Sequence, residues 1–124
     1  MGSGRVGNGF AYTVGYRQSC SIDQGQQDKH IVGANNYNTE LKQDRQPSIL
    51  TGDAQQLLKE GVGKGKLYED GKKEVVDYNR VIGKCWDKNK KVFYETTRAT
   101  IHYGINKNAH IVPTTPRELI KGDE

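Results

Sequence analysis

Two cysteines, one methionine, one tryptophan, two phenylalanines and three prolines are all that 124 residues contain of those types. Two cysteines without a Cys-x-x-Cys pair leave no basis for a zinc ribbon or a thioredoxin-type redox site. Cys20 and Cys85 lie far apart in sequence. They either close a long loop, a bridge worth roughly 4 kcal/mol, or stay as separate thiols. No stretch approaches the ~18 unbroken apolar residues of a membrane span, so no membrane partner is expected. Met1 to Arg5 lacks the apolar run of an export signal. The length allows one domain and not two. The core is expected to be thin, with seven tyrosines each able to bury a ring while its hydroxyl stays wet.

What the chain does have is an uneven distribution of charge. It carries 19 basic and 15 acidic residues, formally +4, with a pI near 9.0. Between Lys59 and Lys91 stand ten of the basic residues against six acidic ones, which accounts for the whole excess. A basic stretch of this kind suits a polyanion such as RNA. The plainer alternative is a set of solvated hairpin lysines.

Along the chain, the Gly, Ser, Asn and Arg of residues 1–22 read as a loose lead, or a junction to an upstream delivery protein. Ser21 to Ile31 suggests a short helix, and Gly33-Ala34-Asn35-Asn36-Tyr37 a turn. The clearest helix follows Asp53 and stops at Gly61, with Ala54, Leu57, Leu58 and Val62 on one face. Gly61-Val62-Gly63-Lys64-Gly65-Lys66 resembles a phosphate loop only superficially, because it follows a helix and not a strand. After Lys66 the period changes to two, with turns at Glu69-Asp70-Gly71, Asp87-Lys88-Asn89-Lys90 and Gly104 to Asn108. The expected class is α+β: one or two N-terminal helices packed on a twisted antiparallel sheet of four or five strands.

One strand stands out. In Arg98-Ala99-Thr100-Ile101-His102-Tyr103 the side chains alternate. Arg98, Thr100 and His102 then line an open face at intervals of about 6.6 Å, while Ala99, Ile101 and Tyr103 turn toward the helix. His110 can stand near this row across a hairpin. A cation, a hydroxyl and imidazoles in one row suit phosphodiester chemistry, in which a proton is moved and an anion held. A solvated strand face is the competing reading.

Four blocks carry a resemblance: Lys29-His30-Ile31-Val32-Gly33-Ala34-Asn35-Asn36-Tyr37, Pro47-Ser48-Ile49-Leu50, Thr96-Thr97-Arg98-Ala99-Thr100-Ile101-His102-Tyr103, and His110-Ile111-Val112-Pro113-Thr114-Thr115-Pro116. In this order they resemble the polymorphic toxin type 50 domain. Ala99 and Gly104 depart from the family pattern, which more often has Gly and Ser there. The resemblance implies a toxin domain over residues 23–116, with a polar tail at 117–124. It implies a metal-independent ribonuclease of the barnase–EndoU–colicin–RelE-like group, forming the C-terminal part of a delivered bacterial toxin. It adds His30 to the strand-face residues, so that His30, Arg98, Thr100, His102 and His110 are the expected catalytic set. Lys29, Lys64, Lys66 and Tyr103 are the expected RNA contacts, with no metal or cofactor.

The implied partners are RNA, above all tRNA, an acidic cognate immunity protein, and a host translation factor. The place of action is the cytoplasm of a target bacterium. Two other functions remain open on the residues alone. A non-catalytic RNA-binding domain would prefer exposed aromatic platforms to a row of histidines. A metal-dependent DNase would need grouped carboxylate and imidazole ligands, for which no motif is present.

Overall fold

The structure, a computed structural model, describes residues 11–120. Among them are four α-helices: α1 (Val14–Gln18), α2 (Gln24–Asp28), α3 (Asn35–Lys42) and α4 (Ala54–Gly61). Eight strands accompany them: β1 (Ser21–Ile22), β2 (Ile49–Leu50), β3 (Lys66–Tyr68), β4 (Lys73–Asp77), β5 (Gly83–Asp87), β6 (Val92–Thr96), β7 (Arg98–Tyr103) and β8 (Asn108–Pro113). The α+β class and the period change after Lys66 are as the sequence predicts.

The helix starts follow ordinary capping chemistry. Thr13, Asp23 and Asp53 each place a side-chain oxygen on the backbone N–H three residues on, opening α1, α2 and α4. Leu57 and Leu58 of α4 are almost wholly buried, and Tyr78 donates its hydroxyl hydrogen to the Leu57 carbonyl. Against them lie Val76, Ala99, Ile101, Tyr103, Ala109 and Ile111, the inward residues of β4, β7 and β8. The helices therefore cover one face of the main sheet and leave the other open.

Three features differ from the sequence reading. Residues 14–22, expected within a loose lead, carry α1 and β1, and Arg17 is buried. Residues 1–10 of that lead lie outside the described residues. The expected turn at 33–37 instead opens α3, because Tyr37 supplies a buried anchor that local propensity does not show. The strands also form two sheets and not one meander. Five strands take the order β1-β8-β7-β4-β3, and three take the order β2-β5-β6. The β1–β8 pair is parallel, and every other pair is antiparallel.

The division falls at Thr97, the single residue between β6 and β7. Gly83 is the reason β5 turns aside. A Cβ there would overlap the Ile49 carbonyl, so only glycine lets β5 close on β2. With β5 and β6 diverted, β4 pairs directly with β7.

Candidate active site

The register of the main sheet builds the site. On β7 and β8, His102 and His110 are direct partners. Their rings stack at 4.8 Å and 10°, close to the spacing of neighbouring strands. His30, from the segment after α2, stacks on the other side of His110 at 6.3 Å and 12°. The result is a column of three imidazoles with His110 in the middle. On the far side of His102, the register continues through Lys73 of β4 to Tyr68 of β3.

The His30 ring is held by a hydrogen bond, and the strand that carries His110 is held by its neighbours. The Nδ1 of His30 lies 2.8 Å from the Ser48 carbonyl oxygen. A carbonyl only accepts, so this nitrogen carries the hydrogen and Nε2 keeps its lone pair. The His30 carbonyl in turn accepts from the Leu50 N–H, tying the segment to β2. Beside His110, the fully buried Gln27 of α2 acts as a substitute strand. Its amide donates to the Ile111 carbonyl at 2.9 Å and its oxygen accepts from the Ile111 N–H at 2.7 Å. The cap residue Asp23 also accepts from Asn108 at 3.1 Å. A cavity of about 190 Å³ opens here, lined by Gln26, His102, Gly104, Asn108 and His110 among others.

All three imidazoles are harder to protonate than a free histidine. Burial is the main cause for each. His102 feels Lys73 next, and His110, flanked by both other rings, is pushed down to about 4. The column therefore favours neutral rings at pH 7. A bound phosphate reverses the balance, because an adjacent anion favours imidazolium. Because the rings stand so close, protons enter the column singly. One acid beside one base is the arrangement that phosphoryl transfer without metal requires. Parallel stacked rings also send their in-plane lone pairs along separate planes. Among the described residues, no group of three or more His, Cys, Asp or Glu is disposed to hold a metal ion.

The other expected site residues fall in different places. Thr100 shares the open face but sits in register between Val75 and Val112. Arg98 lies four residues from His102, about 13 Å along β7. It is only 4% exposed and donates to the Thr115 carbonyl at 2.7 Å. Tyr103 points into the core, where its hydroxyl donates to Glu74 at 2.6 Å. Lys29 stands next to His30, and its charge depresses the protonation of both His30 and His110. Lys64 and Lys66 are exposed, with the Lys66 ammonium 5.5 Å from the centre of the Tyr68 ring. Cys20 and Cys85 are both free thiols, which decides the question the sequence left open.

The family model of bacterial toxin 50 matches residues 22–113, which include all three histidines. The chain belongs to that family. The protein is thus a bacterial toxin domain, and among its described residues no helix is long and apolar enough to cross a membrane. Neither the curated proteins nor the solved structures include a match.

Several residues that shape this toxin site were not visible in the sequence. Lys73 reaches His102 only because β4 pairs across a gap of some 25 residues with β7. Ser48 acts through its backbone carbonyl and Gln27 through a side chain that holds the backbone of Ile111, and neither leaves a spacing signal. Pro47-Ser48 stood inside a family block, which was the one available hint.

Proposed function

We propose that this toxin domain is a metal-independent endoribonuclease that cleaves tRNA through a 2′,3′-cyclic phosphate. The observation that supports this best is the stacked column His30–His110–His102 with Lys73 at its end. His30 is the general base, because Ser48 holds its Nδ1–H and leaves the Nε2 lone pair for the ribose 2′-OH proton. One ring of the stacked pair His102 and His110 carries the proton and delivers it to the leaving 5′ oxygen. The Lys73 ammonium, held 2.9 Å from the Glu69 carboxylate, adds positive charge beside His102 and offsets charge gathering on the phosphorane. The 2′ oxygen attacks phosphorus as the bond to the 5′ oxygen breaks. Two protons move, one off and one on, so the reaction balances without metal or cofactor.

A basic enzyme of this kind needs a partner that silences it in the cell that makes it. We assign that role to an acidic immunity protein covering the histidine face, since charge complementarity speeds capture. Delivery as part of a larger toxin, and action in a target bacterium's cytoplasm, belong to the same reading.

The test is incubation of the purified domain with total bacterial RNA in chelator, with the new ends mapped. Discrete tRNA fragments ending in 2′,3′-cyclic phosphate support the proposal. No cleavage, or cleavage that appears only when a divalent cation is added, refutes it.

A further inference from the structure

A second concavity of about 330 Å³ opens on the same face as the histidines, at the other end of β7. Four cations line it: Lys64 from the loop after α4, Lys66 from the start of β3, Arg98 from β7, and Arg117 from the chain after β8. One carboxylate opposes them. Asp77 lies 3.6 Å from Arg117 Nε and also accepts from the Thr97 hydroxyl at 2.8 Å. The balance is strongly positive.

This cluster is built, and is more than a group of surface lysines. The loop that presents Lys64 and Lys66 is anchored from below by Glu74, a carboxylate 1% exposed. Glu74 accepts from the Gly63 N–H at 3.2 Å and the Gly65 N–H at 2.8 Å. Gly63 has φ of +83°, and a Cβ on Gly65 would overlap the Val75 carbonyl, so both glycines serve the loop's shape. Arg98 is fixed from behind by the Thr115 carbonyl. Tyr68 lines the same hollow, and its buried hydroxyl has no hydrogen-bond partner.

We propose that this concavity is a second phosphate subsite, taking a backbone phosphate of single-stranded RNA beyond the one being cleaved. The inference rests on the ribonuclease reading and extends it to the length of substrate the site prefers. The register Lys66–Val75–Thr100 and Asp77–Arg98 keeps the cluster on the histidine face. The separation from His102, about 13 Å along β7, exceeds one backbone step, so a dinucleotide at the histidines cannot reach it. Thr100, flanked by Val75 and Val112, forms the apolar floor over which an intervening nucleotide lies.

The test compares two substrates, a dinucleoside monophosphate and a hexanucleotide, with the wild-type chain and two variants. One variant is Lys64→Ala/Lys66→Ala; the other adds Arg117→Ala. The expected result is a fall of ~10-fold or more in the ratio of kcat/KM on hexanucleotide to that on dinucleotide, the scale of losing a charge-assisted hydrogen bond. A parallel titration with a non-cleavable 2′-O-methyl hexanucleotide reads binding alone. Its slope of log affinity against log salt should become shallower by ~0.7 for each phosphate that the variant no longer neutralises. An unchanged ratio and an unchanged slope in folded variants overturn the subsite. If neither substrate is cut while the methylated hexanucleotide shows the expected slopes, the catalytic reading fails and the subsite stands. If the hexanucleotide does not bind at all, the subsite falls.

Discussion

Removing the Gln27 side chain should damage this fold severely. Strand β1 pairs with the outer edge of β8 only at Asn108 and Ala109. One step further on, the partner of Ile111 is no longer a strand but the Gln27 amide, which satisfies both its N–H and its C=O. Gln27→Ala leaves both backbone groups without a partner in a site closed to solvent. An unsatisfied buried group costs ~1–3 kcal/mol, so the pair costs ~2–6 kcal/mol before any cavity is counted. Domains of this size have only about 5–15 kcal/mol in total. Urea unfolding followed by Trp86 fluorescence measures the loss directly, and exchange of the Ile111 amide hydrogen should quicken with it. Gln27→Glu separates geometry from size. The carboxylate still accepts from the Ile111 N–H but faces the Ile111 carbonyl without a hydrogen to donate. Its cost should approach that of alanine at pH 7 and shrink in acid. A Gln27→Ala loss below ~1 kcal/mol, with Ile111 still protected, would refute the claim that a side chain completes this sheet.

Other outcomes follow from the same contacts. His102→Ala and His30→Ala should each slow RNA cleavage ~100-fold or more while circular dichroism stays native; a folded variant of either cutting at the wild-type rate removes that ring from the mechanism. Gly65→Ala should destabilise the domain by ~1–3 kcal/mol in chemical unfolding, since the added methyl drives against the Val75 carbonyl and pulls the loop from Glu74. Acid should weaken the fold between the free-histidine pKa of about 6.5 and about 4. Over that range the unfolded chain binds a proton at His110 that the folded chain refuses, so stability rises with pH. His110→Ala should flatten that part of a plot of Tm against pH, and an unaltered slope would show that the ring is not held neutral.

The sequence reading succeeded where a pattern is local and strained where it is not. Helix α4 was visible complete, because Asp53, the Leu57–Leu58 face and Gly61 state its start, side and end within a few residues. The strand face of β7 was visible for the same reason, since alternation is a two-residue rule and Ala99, Ile101 and Tyr103 are indeed inward. What could not be read was which strands are neighbours. The sequence from Val81 to Thr96 reads as the middle of a meander, yet Gly83 commits it to a second sheet against β2. That one commitment brings β4 beside β7 and Lys73 beside His102. Arg98 shows the limit of that rule. Alternation correctly assigns it to the histidine face, but says nothing of how far along the strand the chemistry extends.

That distance is what gives the open face its organisation. At one end stand groups whose charge is conditional: three imidazoles that are harder to protonate than free histidine and that an adjacent anion would charge. At the other end stand lysine and arginine, whose charge is permanent at any physiological pH. In the proposed reaction, a polyanion meets the permanent charges at no protonation cost and is held there. Its scissile phosphate then supplies the field that lets one proton into the histidine column. Binding and activation are thereby ordered by electrostatics. A small phosphate compound that reaches the histidines alone gains no grip from the far cluster and must charge the column unaided. On this proposal, an RNA strand long enough to touch both ends brings the proton in with it.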